Sequence, residues 1–289
     1  MKKQYFFITL ICFLLFLKGN GIRPVHAAGL ASSQVVEVTA ANGRVVTAHL
    51  ALPDTKGPVA SVVVIHENRG LTGWVKSVAD RLAVNGFAAI APDLLSGAGP
   101  DGGGTDSFPS SGDATRALSA LNSDQITADL KAVAQYVRNL PETTDKIAVA
   151  GYCWGGMQTF RFATNEASLA AVFVFYGDGP SAADILRITA PVYGFYAEND
   201  NRINSTIPAT QEAMAAAGRT YEFEIYPGVG HAFLRSVEES ANPSEVEKAA
   251  FNGAWERFLN LLGELQTTPT PVDPQGKLPT TLGERKTKD

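Results

Sequence analysis

The chain has 289 residues, of which 45% are hydrophobic, and its 24 basic and 29 acidic side chains give a formal net charge of −5. An acidic chain is a poor partner for nucleic acid or for an anionic membrane, so no nucleic-acid partner is expected.

The first 27 residues have the pattern of a secretory signal. The basic start "MKK" precedes an apolar run, Tyr5–Leu17, and "VHA" ends the segment at Ala27 with a small-residue cleavage pattern. The apolar run of 13 residues is shorter than the roughly 20 that span a bilayer; a retained membrane anchor is the alternative. We therefore expect a secreted or periplasmic protein that begins at Ala28 and has no stable membrane anchor after cleavage.

Removal of this segment changes the charge and the cysteine count. The segment contains four basic and no acidic residues. The remaining chain therefore has 20 basic and 29 acidic groups and a formal charge of −9. Of two cysteines only Cys153 survives, so no intramolecular disulfide can form. An unpaired cysteine in an exported protein is either a reactive thiol or a small buried hydrophobe, and the count alone leaves both open.

Residues 28–265 alternate apolar strands with amphipathic helices and are predicted to form one domain. Continuous runs such as "VASVVVIH" are typical of parallel strands covered on both faces, whereas "RVVTAHLAL" partly alternates and suits a sheet edge. The seven predicted strands are Arg44–Leu52, Val59–His66, Phe87–Pro92, Lys146–Tyr152, Leu169–Tyr176, Pro191–Ala197 and Tyr221–Pro227.

Two helices are clearest between and after these strands. Asn122–Leu140 begins with capping-box spacing between Asn122 and Gln125, keeps one apolar face and stops before Pro141. The last helix is expected from Ser244 to Leu262. The alternation predicts an α/β fold with a mostly parallel central sheet and helices on both faces.

Two segments fall outside this pattern. Residues 96–120 are too long for an ordinary connection and Gly/Ser-rich at their start, so we interpret them as a lid-like loop or else a plain loop. Asp101 and Asp106 within them are too weak a pattern for a calcium site, and we expect no metal and no cofactor. Residues 266–289 are rich in Pro and Thr and are expected to be a mobile tail.

One motif points to chemistry. "GYCWGG", residues 151–156, places Cys153 where a strand turns sharply into a helix, which matches the nucleophile elbow with sulfur in place of oxygen. Small neighbours let the strand and the helix approach closely. The turn also places the backbone N–H of Trp154 where it can donate to an oxyanion, and the helix N-terminus favours a thiolate.

The partners of such a nucleophile follow it in the order acid, then histidine. His231 is the only histidine after Cys153 and lies in a loop between a strand and the last helix. "AEND" ends the preceding strand, and we choose Asp200 as the acid with Glu198 as its rival. Earlier in the chain, His66 is the one competing base, and His49 is interpreted as structural or exposed.

Five ordered motifs carry a resemblance: "HENRG", "APDLL", "GYCWGG", "AEND" and "GHAFLR". Together they resemble the dienelactone hydrolase (carboxymethylenebutenolidase-like) family of α/β-hydrolases over nearly the whole mature domain. The resemblance implies an α/β-hydrolase fold and a Cys153–His231–Asp200 triad that cleaves a small ester or lactone.

The same resemblance implies roles for further residues. Glu67 would hold Cys153 as a quiescent thiol and take its proton when substrate binds, and Arg235 would pair with Glu67 or with a substrate carboxylate. The backbone N–H of Asn68 would complete the oxyanion hole. Arg116 matches a further family arginine only loosely. Arg69 and the 96–120 insertion depart from the pattern and would reshape the pocket.

The sequence thus predicts an exported, Cys-dependent hydrolase of a small ester or lactone, neutral or anionic, that proceeds through a thioester acyl-enzyme. An acyl-esterase or thioesterase is the near alternative. A redox or peroxide-reactive thiol protein, or a non-catalytic binding protein on the same fold, is the alternative from another class. The oligomeric state is left open.

Overall fold

The computed structural model describes residues 29–267, so the predicted signal segment and nearly all of the predicted tail lie outside it. Eight strands form one sheet in the order β1-β2-β4-β3-β5-β6-β7-β8. The strands are β1 (Gly29–Thr39), β2 (Val45–Asp54), β3 (Val59–Ile65), β4 (Ala88–Pro92), β5 (Thr143–Tyr152), β6 (Ala171–Phe175), β7 (Val192–Ala197) and β8 (Tyr221–Tyr226). From β4 to β8 all neighbours are parallel, which confirms the mostly parallel sheet.

Helices cover both faces of this sheet. They are α1 (Gly73–Val84), α2 (Ser111–Ala120), α3 (Ser123–Arg138), α4 (Trp154–Ala163), α5 (Ala182–Ile185), α6 (Asn201–Asn204), α7 (Ile207–Ala216), α8 (Phe233–Glu239) and α9 (Glu245–Thr267). The core on one face contains side chains of α1, α8 and α9, and the core on the other contains side chains of α3, α4 and α7. The predicted three-layer α/β architecture is therefore correct.

The seven predicted strands are all present with boundaries shifted by at most three residues, but the predicted sheet edge is wrong. β1 lies outside β2 and pairs with it antiparallel, from Thr39 opposite Val45 to Gly29 opposite Asp54. The first half of β1, "GLASSQ", is small, polar and almost wholly exposed, so it has no hydrophobic alternation to reveal it. Its strand conformation depends on pairing with β2, which a sequence window does not contain.

Helix starts also differ in detail from the expectation. The Asn122 side chain accepts from the N–H groups of Asp124 and Gln125, as predicted, but the Gln125 side chain donates to Asp129 instead of returning to Asn122. The reciprocal capping box occurs at the start of α9, where Ser244 and Glu247 each bond the other's backbone N–H.

The insertion at residues 96–120 is ordered and is fastened beside the carboxyl end of β3. It contains two 3₁₀ turns, Pro100–Gly102 and Thr105–Ser107, and then α2. The buried Asp93 carboxylate accepts from both the N–H and the hydroxyl of Thr105, each at 2.7 Å. Farther along, the Thr115 hydroxyl donates to the Asn68 carbonyl at 2.8 Å. These bonds make the insertion a wall beside the "HENRG" loop.

Within residues 29–267, no helix is both long and apolar enough to cross a bilayer. The same residues contain no group of three or more His, Cys, Asp or Glu side chains arranged to hold a metal ion. In the insertion, Asp106 forms an exposed ion pair with Lys76 at 3.4 Å.

Candidate active site

Cys153 occupies the turn between β5 and α4, and its backbone is strained. Its φ and ψ are 56° and −116°, a region that side-chain-bearing residues rarely adopt. The Cys153 N–H donates to the Phe175 carbonyl at 3.0 Å, and its own carbonyl accepts from the N–H of Gly156 at 2.9 Å. The turn is thus fixed on one side by β6 and on the other by the helix that it starts.

The glycines of the motif are required by close backbone contacts. A Cβ on Gly151 would lie 2.2 Å from the Gly155 carbonyl oxygen, and one on Gly155 would lie 2.4 Å from the carbonyl oxygens of Ile65 and His66. On Gly156 it would lie 2.7 Å from the Phe175 carbonyl oxygen. The absence of side chains therefore lets α4 start directly against β3, β5 and β6.

Cys153, His231 and Asp200 form one hydrogen-bonded chain. The His231 Nε2 lies 2.9 Å from the Cys153 Sγ. The His231 Nδ1 lies 2.5 Å from the Asp200 Oδ2, to which it can donate. The other Asp200 oxygen accepts from the Ile203 N–H at the start of α6, which orients the carboxylate. Three elements that are distant in sequence thus place a thiol, an imidazole and a carboxylate in line.

The environment of His231 favours its charged form. Burial lowers the pKa of the imidazole, but hydrogen bonds to Cys153 and Asp200 and their charges outweigh burial and leave this pKa above its ordinary value. A charged imidazole can donate a proton to the leaving group of a substrate, which is the role of a general acid.

The two rival groups are engaged elsewhere. The Glu198 carboxylate accepts from the Gly228 N–H at 2.8 Å, so Asp200 is the acid that contacts His231. His66 is fully buried, its Nδ1 is 2.7 Å from the Glu67 carbonyl oxygen, and its Nε2 accepts from the Leu94 N–H. His49 is also buried and lies 2.8 Å from Asp80, a structural contact between β2 and α1.

Glu67 is paired with Arg235 and not with the thiol. The Arg235 Nε donates to the Glu67 Oε2 at 2.6 Å, and its Nη1 donates to Glu239 at 2.9 Å. Burial raises the pKa of the Glu67 carboxyl, and the hydrogen bond and charge of Arg235 oppose that rise. The pKa of this carboxyl stays above its ordinary value, and a shifted pKa of this kind is typical of a group that exchanges a proton.

The two expected oxyanion donors belong to the start of α4 and to the loop after β3. Trp154 is the first residue of α4, where backbone N–H groups have no acceptor within the helix. Its ring stacks on His66 with 5.5 Å between centroids, which fixes α4 against the loop after β3. Asn68 lies in that loop, and its carbonyl is held by Thr115 of the insertion.

The three arginines differ in their surroundings. Arg116 is an exposed residue of α2 that pairs with Asp113, so the structure does not bring it to the thiol. Arg235 is committed to two carboxylates, Glu67 and Glu239. Arg69 is exposed two residues after Glu67, and its charge reaches the Glu67 carboxyl.

Two buried tyrosines complete the site and were not singled out from the sequence. Tyr152 precedes Cys153, and Tyr176 follows β6 with its ring 5.2 Å from the His231 ring, edge to face. Both occupy carboxyl ends of parallel strands, where ligands bind in open α/β sheets. Their position at the end of a predicted parallel strand is the sequence signal that could have identified them.

This fold and this elbow define an α/β-hydrolase. Residues 46–266 match the Dienelactone hydrolase family, so the chain belongs to that family. The predicted family and fold class are confirmed.

Individual proteins that are similar to this chain point to the same family. A protein of Methylorubrum extorquens, provisionally named carboxymethylenebutenolidase, is 31% identical over 215 residues, which are 70% of this chain and 73% of that protein. A Saccharolobus solfataricus protein with the same provisional name is 30% identical over 253 residues, 76% of this chain and 95% of its own. A crystal structure from Klebsiella pneumoniae, provisionally titled a dienelactone hydrolase, superposes with a TM-score of 0.69 at 26% identity. It covers 81% of this chain and 99% of that one.

Proposed function

We propose that this hydrolase of the dienelactone hydrolase family cleaves a small carboxylic ester or lactone with Cys153 as its nucleophile. The observation that carries the proposal is the chain of contacts from the Cys153 Sγ to His231 at 2.9 Å and from His231 to Asp200 at 2.5 Å. Cys153 lies on a strained turn at the start of a helix, which is the arrangement that presents a nucleophile in this fold.

The reaction has two halves. The thiolate attacks the acyl carbon, and the backbone N–H groups of Trp154 and Asn68 stabilise the oxyanion of the tetrahedral intermediate. The intermediate collapses to a thioester as the imidazolium of His231 protonates the departing oxygen. Water then attacks the thioester, His231 takes its proton, and the acid leaves with the thiol restored. Asp200 keeps the imidazole oriented throughout.

Glu67 governs the resting state of the thiol. Its carboxylate opposes a second negative charge on Cys153. When substrate draws Glu67 away from Arg235, this carboxylate accepts the thiol proton. Arg235 stays in place because Glu239 holds its other nitrogen at 2.9 Å. The partner for a substrate carboxylate is then the exposed Arg69, or Arg235 once Glu67 has moved away from it.

The test is turnover of p-nitrophenyl acetate and of a small lactone by the wild type and by Cys153→Ala. We expect Cys153→Ala to hydrolyse both at background rate with an unchanged circular dichroism spectrum. Replacing His231 with Gln should cost roughly 10²–10⁴ in rate, the usual contribution of general acid–base catalysis. Most of the activity surviving in Cys153→Ala would assign the nucleophile to another group.

The same variants separate the redox alternative. A peroxide-reactive thiol protein would need Cys153 but would gain little from Asp200 and His231 in line. Peroxide consumption that depends on Cys153, together with no ester turnover by the wild type, would favour that alternative.

A further inference from the structure

Three oxygen atoms beside the triad are buried without a hydrogen-bond partner. They are the Oε1 of Glu67 and the hydroxyls of Tyr152 and Tyr176. Both tyrosines are 0% exposed and Glu67 is 4% exposed. A buried polar atom without a partner destabilises a fold, so such atoms are rare. Three such atoms close together indicate a function that offsets the lost stability.

The three groups lie within electrostatic reach of one another. The rings of Tyr152 and Tyr176 are 6.3 Å apart between centroids. Burial is the main cause that raises the pKa of both phenols, and for Tyr176 the charge of Glu67 is the next cause. Glu67 also raises the pKa of Tyr152, after the opposing effect of Arg81 and the effect of Glu238. The phenols are therefore neutral donors within electrostatic reach of the Glu67 carboxylate.

Tyr176 is held there at the expense of backbone strain. Its φ is 42°, in the left-handed region that a bulky residue avoids. The Tyr176 N–H donates to the Phe195 carbonyl at 2.9 Å, and the next residue, Gly177, packs so closely on α4 that a Cβ would lie 2.4 Å from Gly156. Strain that the surrounding structure enforces is concentrated at functional sites.

We propose that Tyr152 and Tyr176 are positioning residues for Glu67, whose carboxylate they receive by hydrogen bonds when it leaves Arg235 to accept the Cys153 proton. The proposal rests on the proposed function for the identity of that step. In it the S–H bond of Cys153 breaks, an O–H bond forms on Glu67, and the negative charge passes from the carboxylate to the sulfur. A carboxylate oxygen has two lone pairs, so the unpaired Oε1 of Glu67 can accept a hydrogen bond from each of the two hydroxyls.

This proposal predicts a change in the pH dependence of turnover. Donors to a carboxylate favour its charged form, so loss of either hydroxyl raises the pKa of Glu67 once it has left Arg235 and leaves more of it protonated at neutral pH. Protonated Glu67 repels a thiolate less but cannot accept a proton. The titratable or charged groups that face Glu67 are Arg69 on its own loop, His231 before α8, Arg235 in α8, Tyr152 at the end of β5 and Tyr176 after β6.

The experiment compares Tyr152→Phe and Tyr176→Phe with the wild type and with Glu67→Gln. It measures the rate of iodoacetamide alkylation of Cys153 and kcat/KM for p-nitrophenyl acetate, both from pH 5 to pH 9. Glu67→Gln should speed alkylation and slow turnover at neutral pH. Each tyrosine variant should slow turnover but leave alkylation of the free enzyme at the wild-type rate, because the hydroxyls bond Glu67 only after it leaves Arg235. The rising limb of turnover should shift upward by about one pH unit for each lost bond to a charged group.

Stability provides the control. Because each hydroxyl is unpartnered, both variants should unfold at the wild-type temperature or higher. Tyr196→Phe is the matched change, since its buried hydroxyl is 2.7 Å from that of Tyr221 and its loss should lower the unfolding temperature without moving either pH profile.

An unchanged turnover profile in Tyr152→Phe and Tyr176→Phe would overturn the proposal, and so would a fall of turnover and alkylation together. If the wild type hydrolyses no ester, the proposed function fails. If the wild type hydrolyses esters and both tyrosine variants keep its turnover profile, only the role of the two phenols fails.

Discussion

His231 sits between two groups that bind its proton, and this makes the residue a pH-dependent contributor to stability. Its imidazole is only partly exposed, at 30% of the side chain, and it contacts Asp200 at 5%. Glu67 and Arg235 form the second charged contact of the site, also with little solvent. At the scale of single residues, the site is therefore two adjoining ion pairs whose charges depend on proton position.

Asp200→Asn should weaken the protein more at pH 6 than at pH 9. The folded-state pKa of His231 is raised, so its contribution is fully present below the unfolded pKa of about 6.5 and is lost as pH rises through the folded value. Removing the Asp200 charge removes a cause of that rise. Urea denaturation of wild type and variant at both pH values measures the difference.

Asp184→Asn is the matched control, because Asp184 is a half-buried acid that pairs with Arg187 and contacts no histidine in the described residues. Its effect should be the same at pH 6 and pH 9. A wild-type-to-Asp200→Asn difference that is equal at the two pH values would contradict the charged-imidazole account.

At the scale of secondary structure, the site depends on how closely α4 approaches the sheet. Two helical glycines illustrate the distinction between a required and a replaceable glycine. Gly155 in α4 faces the backbone carbonyls of β3 and the residue after it, whereas Gly253 in α9 faces only the Tyr226 ring, 3.7 Å from a built Cβ. Backbone atoms cannot yield as a side chain can.

Gly155→Ala should destabilise the protein by about 1–3 kcal/mol, the usual penalty for overpacking, and should slow hydrolysis because the elbow shifts. Gly253→Ala, the control, should stabilise α9 by about 0.5–1 kcal/mol, since alanine restricts the unfolded chain more than glycine does. Denaturant midpoints of both variants check the pair. Equal effects of the two changes would refute the close-approach explanation.

At the scale of the molecule, the first strand of the described residues, β1, begins two positions after the end of the predicted signal. Gly29 is already paired with Asp54 in the outer strand pair of the sheet. Cleavage after Ala27 would leave every described strand intact. We propose on this basis, and on the sequence pattern of residues 1–27, that the protein is exported and that the mature chain begins at Ala28.

N-terminal sequencing of protein from the periplasm or the medium should read Ala28 or a residue close to it. A large residue in place of Ala27 should block cleavage, because the site requires a small side chain. Soluble cytosolic protein with an intact Met1 would contradict export without affecting the hydrolase proposal.

Much of this molecule follows from local sequence. Seven strands and two helices were predictable because burial on both faces leaves continuous apolar runs and helix packing leaves a 3.6-residue period. The turn at Cys153 was predictable too, since only small residues fit where a helix starts against a sheet. The chain order Cys153, Asp200, His231 placed three candidate residues at the same end of that sheet.

Other features were decided only in three dimensions. Asp200 rather than Glu198 contacts His231, Glu67 pairs with Arg235 across 168 positions, and Arg116 turns outward to Asp113. The partnerless hydroxyls of Tyr152 and Tyr176 are likewise invisible in a linear pattern. Periodicity determines which face of an element is apolar, but side-chain partners depend on how distant elements are oriented, and that is set by packing of the whole fold.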